Sequence, residues 1–369
     1  MKTINISCRS GNSIIAFGEL PELIRVYLPS ERIVVVTDSN IYKYYKHLFK
    51  TISFDYIENS NVPFDEDTSI GNNDSSETNL ITDKIIEIPA GEDSKSFETI
   101  EYIINKFIEF GVDRSYFILG FGGGVVCDIT GFAASIFHRG LRFGFIPTTL
   151  LAQVDASIGG KNGINFNNIK NVCGIIRQPE YILSDYRTLQ TLEQSEFENG
   201  LSEIIKTALV ADSELYDIIE AFSDISNLQM LEQIIFRTAM AKAKIVESDE
   251  TETGLRKILN FGHTFGHAVE SIAKISHGRA VGIGMIKALE LSVKLNNLDP
   301  EILIRVKKLL IKFNLPYEIE IDQKPLIDKI LKDKKKESDK MNFILLDKIG
   351  KARIKEISIR EISNNPEFC

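Results

Sequence analysis

Apolar strand segments alternate with amphipathic helical segments between residues 32 and 147, and no other feature of the sequence limits the architecture as strongly. Residues 32–38 form a continuous apolar run that ends in a polar residue, which is typical of a buried parallel strand. Further strand patterns follow at 84–89, 116–119 and 143–146. Strands separated by helices in this way predict an open parallel α/β sheet.

Long helical patterns replace this alternation from about residue 193. They cover 197–210, 212–222, 228–247, 256–273 and 279–296. A terminal β-hairpin is predicted around Gly350. Since 369 residues allow two domains, we predict an α/β domain over residues 1–192 and a mostly α-helical domain over residues 193–369. The polar segment 58–79 is predicted to be an exposed insertion without a core of its own.

Composition argues against several classes of protein. The net charge is −9 and no basic block is present, so we expect no nucleic-acid partner. The four cysteines are widely spaced, which argues against a disulfide framework and against a thiolate zinc site. No apolar run reaches the length of a membrane span, and the N-terminus lacks the pattern of a signal peptide. The prediction is a soluble, cytoplasmic protein without a membrane partner.

Three of the five histidines lie between residues 263 and 277. If residues 256–273 form one helix, four polar residues share one of its faces, because positions three and four apart are neighbours on a helix. These residues are Arg256, Asn260, His263 and His267. A His-x3-His pair followed by His277 predicts a site for a divalent metal, with zinc as the first choice. The metalloprotease motif His-Glu-x-x-His is absent, because Thr264 stands where that motif has Glu.

A glycine-rich loop at residues 120–124 follows one predicted strand and precedes a helix. An α/β sheet binds dinucleotides at such a place, where backbone N–H groups at a helix N-terminus approach the pyrophosphate. The spacing is not Gly-x-Gly-x-x-Gly, since Val125 replaces the third glycine, and a tight structural turn explains the loop equally well. Asp38, at the end of an earlier strand, is a candidate either for a ribose hydroxyl or for a helix N-cap.

Several lysines and carboxylates lie in contexts that favour a site. Lys161 is flanked by three glycines, and Lys170 follows nine residues later, which suits a loop that binds a phosphorylated ligand; a glycine-rich surface turn is the alternative. Glu203 and Lys206 have the spacing of a surface ion pair, but apolar neighbours indicate a buried helix. Glu203 is therefore a candidate metal ligand. Lys242 is likewise either a surface charge or a residue of the site.

Together these segments resemble 3-dehydroquinate synthases, within the sugar phosphate cyclase family. The matching segments, in the family's order, are Gly122–Asp128, His138–Gly140, Pro147–Asp155, Gly159–Lys161, Lys170–Asn171, Gly200–Lys206, Lys242, Arg256–His267 and His277–Gly278. The resemblance implies a glycerol-dehydrogenase-like fold, with an N-terminal NAD-binding α/β domain and a mostly helical C-terminal domain that binds metal and substrate. It also implies a homodimer, and zinc or cobalt held by Glu203, His263 and His277.

The resemblance also implies a cofactor, a substrate and a reaction. The residues that match NAD contacts are Asp38, Glu92, Lys95, Gly123, Gly124, Val125, Asp128, Thr148, Thr149, Lys161, Lys170 and Thr191. The implied substrate is 3-deoxy-D-arabino-heptulosonate 7-phosphate. Its C5 hydroxyl is oxidised, phosphate is eliminated, the ketone is reduced again, the ring opens, and an aldol step closes the carbocycle.

Residue roles follow from the same resemblance. The implied catalytic residues are Asp155, Lys206, Lys242, Asn260 and His267. The implied substrate contacts are Arg139 from the other subunit, Lys161, Lys170, Asn171, Arg256, Lys334 and Lys335. Arg256 is assigned to the substrate carboxylate, because a guanidinium binds a carboxylate through two parallel hydrogen bonds. If the substrate lacked that carboxylate, we expect Arg256 to be a buried charge without a partner, which is costly.

Three residues depart from the family's pattern, and one of them is Cys127, which replaces a common glycine. Asn162 replaces the usual Thr, and Arg279 replaces the usual Glu beside His277, where it is expected to alter the groups that orient the imidazole. Three functions are therefore compared. The first is dehydroquinate synthesis. The second is another cyclase, such as one that makes 2-deoxy-scyllo-inosose from glucose 6-phosphate, or a metal-dependent polyol dehydrogenase. The third is a binding protein without activity.

Overall fold

The structure is a computed structural model, and it describes residues 1–29, 32–51, 84–167, 169–222, 227–322, 325–327, 329–330 and 340–358. The strands are β1 (Lys2–Cys8), β2 (Gly11–Phe17), β3 (Ile33–Asp38), β4 (Ile85–Ile88), β5 (Phe117–Gly122), β6 (Arg142–Pro147), β7 (Lys161–Phe166), β8 (Ile169–Ile176), β9 (Tyr181–Ser184), β10 (Lys340–Lys348) and β11 (Lys351–Ser358). The helices are α1 (Leu20–Tyr27), α2 (Ser39–Thr51), α3 (Phe97–Glu109), α4 (Gly124–Ile136), α5 (Gln194–Ala211), α6 (Ser213–Ala221), α7 (Leu228–Ser248), α8 (His263–Ala273), α9 (His277–Asn296) and α10 (Pro300–Lys312).

The described chain forms two compact units. The first contains Met1–Thr3, Ser13–Pro147 and Lys161–Asp185, and the second contains Ile4–Asn12, Thr148–Gly160 and Tyr186–Cys369. Each unit therefore combines segments from different parts of the chain. The single boundary at residue 192 stays a prediction. The predicted insertion at 58–79 lies outside the described residues.

The first unit is built on the predicted parallel α/β sheet. Within this unit the strand order is β2-β9-β6-β5-β3-β4, and all neighbouring pairs are parallel. Strand β3 is buried at every position except its last residue, Asp38. Its apolar side chains pack with those of β5 and α1 in one core, in which Leu23, Val35 and Leu119 are buried. The α/β part of the predicted fold class is confirmed.

The second unit is mostly helical, as predicted. Helix α5 is buried without interruption from Phe197 to Val210, so neighbouring elements pack against all of its faces. The hairpin of β10 and β11, predicted around Gly350, packs on α8 and α9 through a core that includes Phe265, Ala280 and Leu345. Among the helices of the described residues, none is long and apolar enough to cross a bilayer.

The predicted continuous helix over residues 256–273 is wrong. Residues Leu255–Asn260 form a 3-10 helix, and α8 begins only at His263. Gly262 separates them with a φ of 80°, a left-handed conformation that glycine adopts without strain and that ends helical propagation. Arg256 and Asn260 therefore do not lie on the helix face that carries His263 and His267.

Candidate functional site

Glu203 lies in the middle of α5, in the second unit, and is 1% exposed. A lone carboxylate in such a place would be strongly destabilising, so it needs partners. Lys206, one helical turn later, forms a buried ion pair with Glu203. Burial by itself raises the pKa of Glu203, but Lys206, His263 and His277 together hold it well below its ordinary value. The carboxylate is ionised, as a metal ligand requires.

A close approach of two helices brings His277 to Glu203. His277 is the first residue of α9, and the following residue, Gly278, packs directly on α5. A Cβ at Gly278 would lie 2.5 Å from the Cα of Asn199, so only glycine allows this separation. The Gly278 backbone N–H also donates to the Asn199 side-chain oxygen (2.8 Å), which satisfies one free amide at the start of α9.

Three side chains converge on one point. One ligand atom from each of Glu203, His263 and His277 lies within 4.8 Å of the other two. The Nε2 atoms of His263 and His277 are 3.6 Å and 3.3 Å from the same Glu203 oxygen. Two imidazole nitrogens and one carboxylate oxygen are a donor set that suits zinc or cobalt and leaves further coordination positions open. The residues present therefore fit the divalent metal predicted from the sequence.

The two imidazoles differ in their surroundings. Burial lowers the pKa of His263 to about 3, so this ring is neutral. Burial also acts to lower the pKa of His277, but hydrogen bonds from its ring to Glu203 and Glu270 raise it to about 9. His277 is thus charged in the metal-free protein at neutral pH, and a metal has to displace its proton from Nε2.

Other predicted catalytic residues surround this cluster. Lys242 Nζ donates to the Asp155 carboxylate (2.5 Å) and to the Asp155 backbone oxygen (2.7 Å). Burial lowers the pKa of Lys242 to about 8, against the opposing effect of Asp155. Lys206 keeps a raised pKa despite its burial, because Glu203 and Asp155 are close. Two lysines and two carboxylates thus lie close together, and Asp155 is the most exposed of the four, at 25%. His267 lies one turn after His263 on α8, with ring centroids 5.1 Å apart.

Arg256 is buried, at 2% exposure, but it has partners. Its Nη1 donates to the backbone oxygens of Gly159 (3.0 Å) and Glu250 (2.5 Å). The expectation that Arg256 lacks a partner without a substrate carboxylate is therefore wrong, because two carbonyl groups fix part of the guanidinium. Burial lowers its pKa, and the nearby Glu252 and Asp155 act in the opposite direction. Within the described part of the chain, its Nη2 and Nε atoms form no hydrogen bond.

The glycine loop of the first unit lies where the strand order reverses. From β3 the chain passes to β4 on one side, and it returns to β5 on the other side, so the switch point lies between β3 and β5. Ligands of open α/β sheets bind at the carboxyl ends of the strands that flank such a point. These ends are Asp38 and Gly122, and α4 begins immediately after, at Gly124.

Asp38 caps helix α2, which is one of the two roles predicted for it from the sequence. Its Oδ1 accepts from the backbone N–H groups of Asn40 and Ile41, both at 2.9 Å, at the start of α2. Gly122 has a packing role as well, because a Cβ there would lie 2.5 Å from Val126. Both residues thus serve the structure at the place where a dinucleotide is predicted, and their cofactor contacts stay a prediction.

Further predicted contacts form a network in the first unit. Lys95 is buried and donates to Asp128 and to the side chain of Asn171, both at 2.5 Å. Asn165, which sequence reasoning did not select, connects the same elements. It donates to Glu92 (2.8 Å) and accepts from the backbone N–H of Asn171 (2.8 Å). Predicted NAD contacts and a predicted substrate contact are therefore brought together.

The remaining predicted residues are placed as follows. Lys161 and Lys170 are exposed on β7 and β8, and Arg139 is exposed at the end of the short 3-10 helix Phe137–Arg139, with a φ of 64°. Thr148 is buried at the start of a second-unit segment, and the Thr149 hydroxyl accepts from the Ala152 backbone N–H (3.1 Å). Thr191 is exposed. Lys334 and Lys335 lie outside the described residues.

Asn162 and Arg279, two of the departures from the family's pattern, each contact a residue of their own unit. Asn162 is buried in the first unit, where its side-chain nitrogen donates to the Arg177 backbone oxygen (2.9 Å) and its oxygen fills the space that a Cβ on Gly131 would need. Arg279 points to Glu198 (3.3 Å) rather than to His277. Glu270 contacts the ring of His277, and the expected effect of Arg279 on the groups around that ring stays a prediction.

Sequence reasoning also missed two carboxylates in the second unit. Glu252 contacts the side chain of Asn260 from a loop, where its φ of 60° is unusual for a residue other than glycine. No periodic pattern could have found it. Glu270 contacts His277, and a signal for it was present, since it lies seven residues after His263 on one face of α8.

Two sequence models of one family match most of the chain. The 3-dehydroquinate synthase N-terminal model matches residues 85–199, and the 3-dehydroquinate synthase C-terminal model matches residues 200–336. The chain belongs to the 3-dehydroquinate synthase family. A member of that family, the 3-dehydroquinate synthase of Dehalococcoides mccartyi (strain ATCC BAA-2266 / KCTC 15142 / 195), is 39% identical over 98% of this chain and 97% of its own length.

Solved structures of related cyclases share the fold of this family member. A 2-epi-5-epi-valiolone synthase from Streptomyces hygroscopicus subsp. jinggangensis 5008, with NAD+ and Zn2+ bound, is 26% identical and has a TM-score of 0.78 over 97% of this chain and 96% of that chain. A 2-deoxy-scyllo-inosose synthase is 23% identical, with a TM-score of 0.81 over 99% of both chains. The predicted fold class, an α/β part with a helical C-terminal part, is confirmed.

Proposed function

We infer that this protein is a 3-dehydroquinate synthase, which converts 3-deoxy-D-arabino-heptulosonate 7-phosphate to 3-dehydroquinate and phosphate. The observation that carries this conclusion is the 39% identity to a 3-dehydroquinate synthase along almost the whole of both chains. The candidate metal centre supports it, because Glu203, His263 and His277 provide a complete set of ligands. A binding protein without activity would not need to keep these ligands beside two buried lysines.

NAD and a divalent metal, zinc or cobalt, are the proposed cofactors. The support is the strand-order reversal beside Gly122 in the first unit, the ligand set in the second, and the NAD+ and Zn2+ in the valiolone synthase. When bound, the metal makes a coordinated substrate hydroxyl more acidic, and NAD takes up a hydride that it returns in the same turnover. We also propose that the protein is located in the cytoplasm.

The chain's own residues then bind and orient the substrate. Lys206 and Lys242 present ammonium donors to substrate hydroxyl groups, and Asp155 holds Lys242 in place through its carboxylate and its backbone oxygen. Asn260, fixed by Glu252, offers an amide to another hydroxyl. Arg256 pairs with the substrate carboxylate through Nη2 and Nε, because Nη1 is already held by two carbonyl groups. His267, one turn after His263 on α8, is assigned to the departing phosphate.

A panel of sugar phosphates tests the substrate. The purified protein, with NAD and zinc, is incubated separately with the heptulosonate phosphate and with glucose 6-phosphate, and inorganic phosphate is measured. We expect phosphate release from the heptulosonate phosphate and little from glucose 6-phosphate, since only the first carries a carboxylate for Arg256. Release from glucose 6-phosphate alone would overturn the proposed substrate and favour a 2-deoxy-scyllo-inosose synthase.

A homodimer, with Arg139 completing the partner's site, is part of the proposal. Apolar side chains on β7 and β8 are between 38% and 56% exposed. Such exposure favours an oligomer in which another subunit covers these side chains. They are Phe166, Ile169, Val172 and Ile175. Arg139 is exposed and has no hydrogen bond or ion pair within the described residues, so its charge is available to a substrate.

Mixing two inactive variants tests the role of Arg139. In a heterodimer of Arg139→Ala and His263→Ala chains, one of the two sites has both an intact metal centre and an Arg139 from the other chain. After subunit exchange we expect roughly a quarter of the wild-type activity, since half of the dimers are mixed and each has one complete site. A mixture of His263→Ala with His277→Ala is the control and should stay inactive. No recovery in the first mixture would show that Arg139 does not act across subunits.

A further inference from the structure

The ring nitrogens of His263 and His277 that face away from Glu203 have different partners. Nδ1 of His263 is 3.3 Å from the Phe261 backbone oxygen, two residues earlier in the chain. Nδ1 of His277 is 3.1 Å from Oε2 of Glu270, which belongs to a different helix. One imidazole is therefore oriented by local backbone, and the other depends on a single carboxylate.

The hairpin of α8 and α9 explains why Glu270 reaches His277. Glu270 lies near the end of α8, His277 is the first residue of α9, and the two antiparallel helices pack closely. At Gly266, one turn before Glu270, a Cβ would lie 3.2 Å from the backbone oxygen of Ala280. This close packing fixes Glu270 opposite the first turn of α9.

We propose that Glu270 is a positioning residue, which accepts a hydrogen bond from Nδ1–H of His277 and thereby holds Nε2 of that ring toward the metal. The inference rests on the proposed metal-binding role of Glu203, His263 and His277. A proton fixed on Nδ1 leaves the lone pair of Nε2 available as a ligand. The carboxylate also makes the imidazole a stronger donor to a metal.

Of the three proposed metal ligands, His277 depends most on a group that orients its side chain. Its side chain is 29% exposed, compared with 13% for His263 and 1% for Glu203, so neighbouring side chains restrain its ring least. Among the described contacts of its ring, Glu203 lies on the metal side and Glu270 on the opposite side. Arg279, two residues away, is paired with Glu198 and does not compete for Glu270.

Metal affinity of the purified protein tests the proposal without reference to activity. The metal is removed with a chelator, and zinc binding is then measured by competition with a chromogenic chelator. We expect Glu270→Gln to bind zinc about 10-fold to 100-fold more weakly than the wild type, and Glu270→Ala to bind at least as weakly, because a group that orients a ligand is lost. Glu290→Gln is the matched control on α9, since Glu290 forms ion pairs with Lys287 and Lys307 among the described residues, and its zinc affinity should be unchanged.

The rise in melting temperature on adding zinc separates positioning from a general contribution to stability. A merely structural Glu270 would lower the melting temperature of the metal-free variant but leave the zinc-induced rise as in the wild type. A positioning role makes that rise smaller, because stabilisation by a ligand follows its affinity. The proposal is overturned if wild type and both Glu270 variants bind zinc within twofold of one another. If the wild type itself binds no zinc, the proposed metal site fails instead.

Discussion

Replacement of His263 by alanine is expected to abolish most metal binding and to lower the rate of phosphate release by about 10³-fold or more. The proposed metal centre has three protein ligands, and the loss of one leaves Glu203 and His277, which cannot hold the ion firmly. A bound metal contributes several kcal/mol to the stabilisation of developing charge, and each 1.4 kcal/mol corresponds to about a tenfold change in rate. Metal content after dialysis and steady-state phosphate release are the measurements.

An exposed position on the same helix provides the control for His263→Ala. Ile272 is 36% exposed near the end of α8, and Ile272→Ala should keep both its metal content and its activity. The assignment of His263 as a metal ligand is refuted if the His263→Ala protein, stripped with a chelator, retains full activity.

Arg256→Ala is expected to reduce kcat/KM for the heptulosonate phosphate by a factor that corresponds to about 2–4 kcal/mol of transition-state stabilisation. The two carbonyl groups that hold Nη1 keep the guanidinium in a fixed orientation, so its remaining N–H groups meet the substrate carboxylate without reorganisation. Arg256→Lys keeps the charge but cannot donate two parallel hydrogen bonds, and we expect it to recover only part of the loss.

The stability of the Arg256 variants has to be measured as well, because the Arg256 side chain also connects Gly159 to Glu250. A drop in melting temperature without a change in kcat/KM would show that Arg256 is structural. In that case other residues must bind the substrate carboxylate. Arg256 would then not explain the predicted preference for the heptulosonate phosphate over glucose 6-phosphate.

Much of the fold could be predicted from the sequence, because apolar periodicity is a direct consequence of burial. The run from Ile33 to Asp38 is buried as a central parallel strand, and the alternation that follows it produces the predicted sheet. The set of candidate metal ligands was implied by the family resemblance, whereas the residues alone indicated the three histidines and left Glu203 open to two interpretations, a metal ligand or a surface ion pair. Its uninterrupted burial on α5 is what excludes the surface ion pair.

The errors arose where local backbone geometry overrides periodicity. Helical spacing placed Arg256 and His263 on one face, but the left-handed Gly262 lies between them and turns the chain. Glu252 lies in an irregular loop, where spacing carries no information about contacts. Asn162 replaces the usual Thr of the family, and its side chain fills the space beside Gly131 on α4. A contact such as that between Asn162 and Gly131 cannot be predicted from sequence spacing, because it depends on the three-dimensional packing of both residues.

The balance between phosphate and NADH in a single time course tests the central claim most directly. The purified protein is given NAD, zinc and the heptulosonate phosphate, and inorganic phosphate and the absorbance of NADH are followed together. A 3-dehydroquinate synthase returns the hydride in each turnover, so we predict that phosphate accumulates, that its release requires NAD, and that NADH does not accumulate. Formation of NADH in proportion to the substrate consumed would contradict the account and indicate a polyol dehydrogenase.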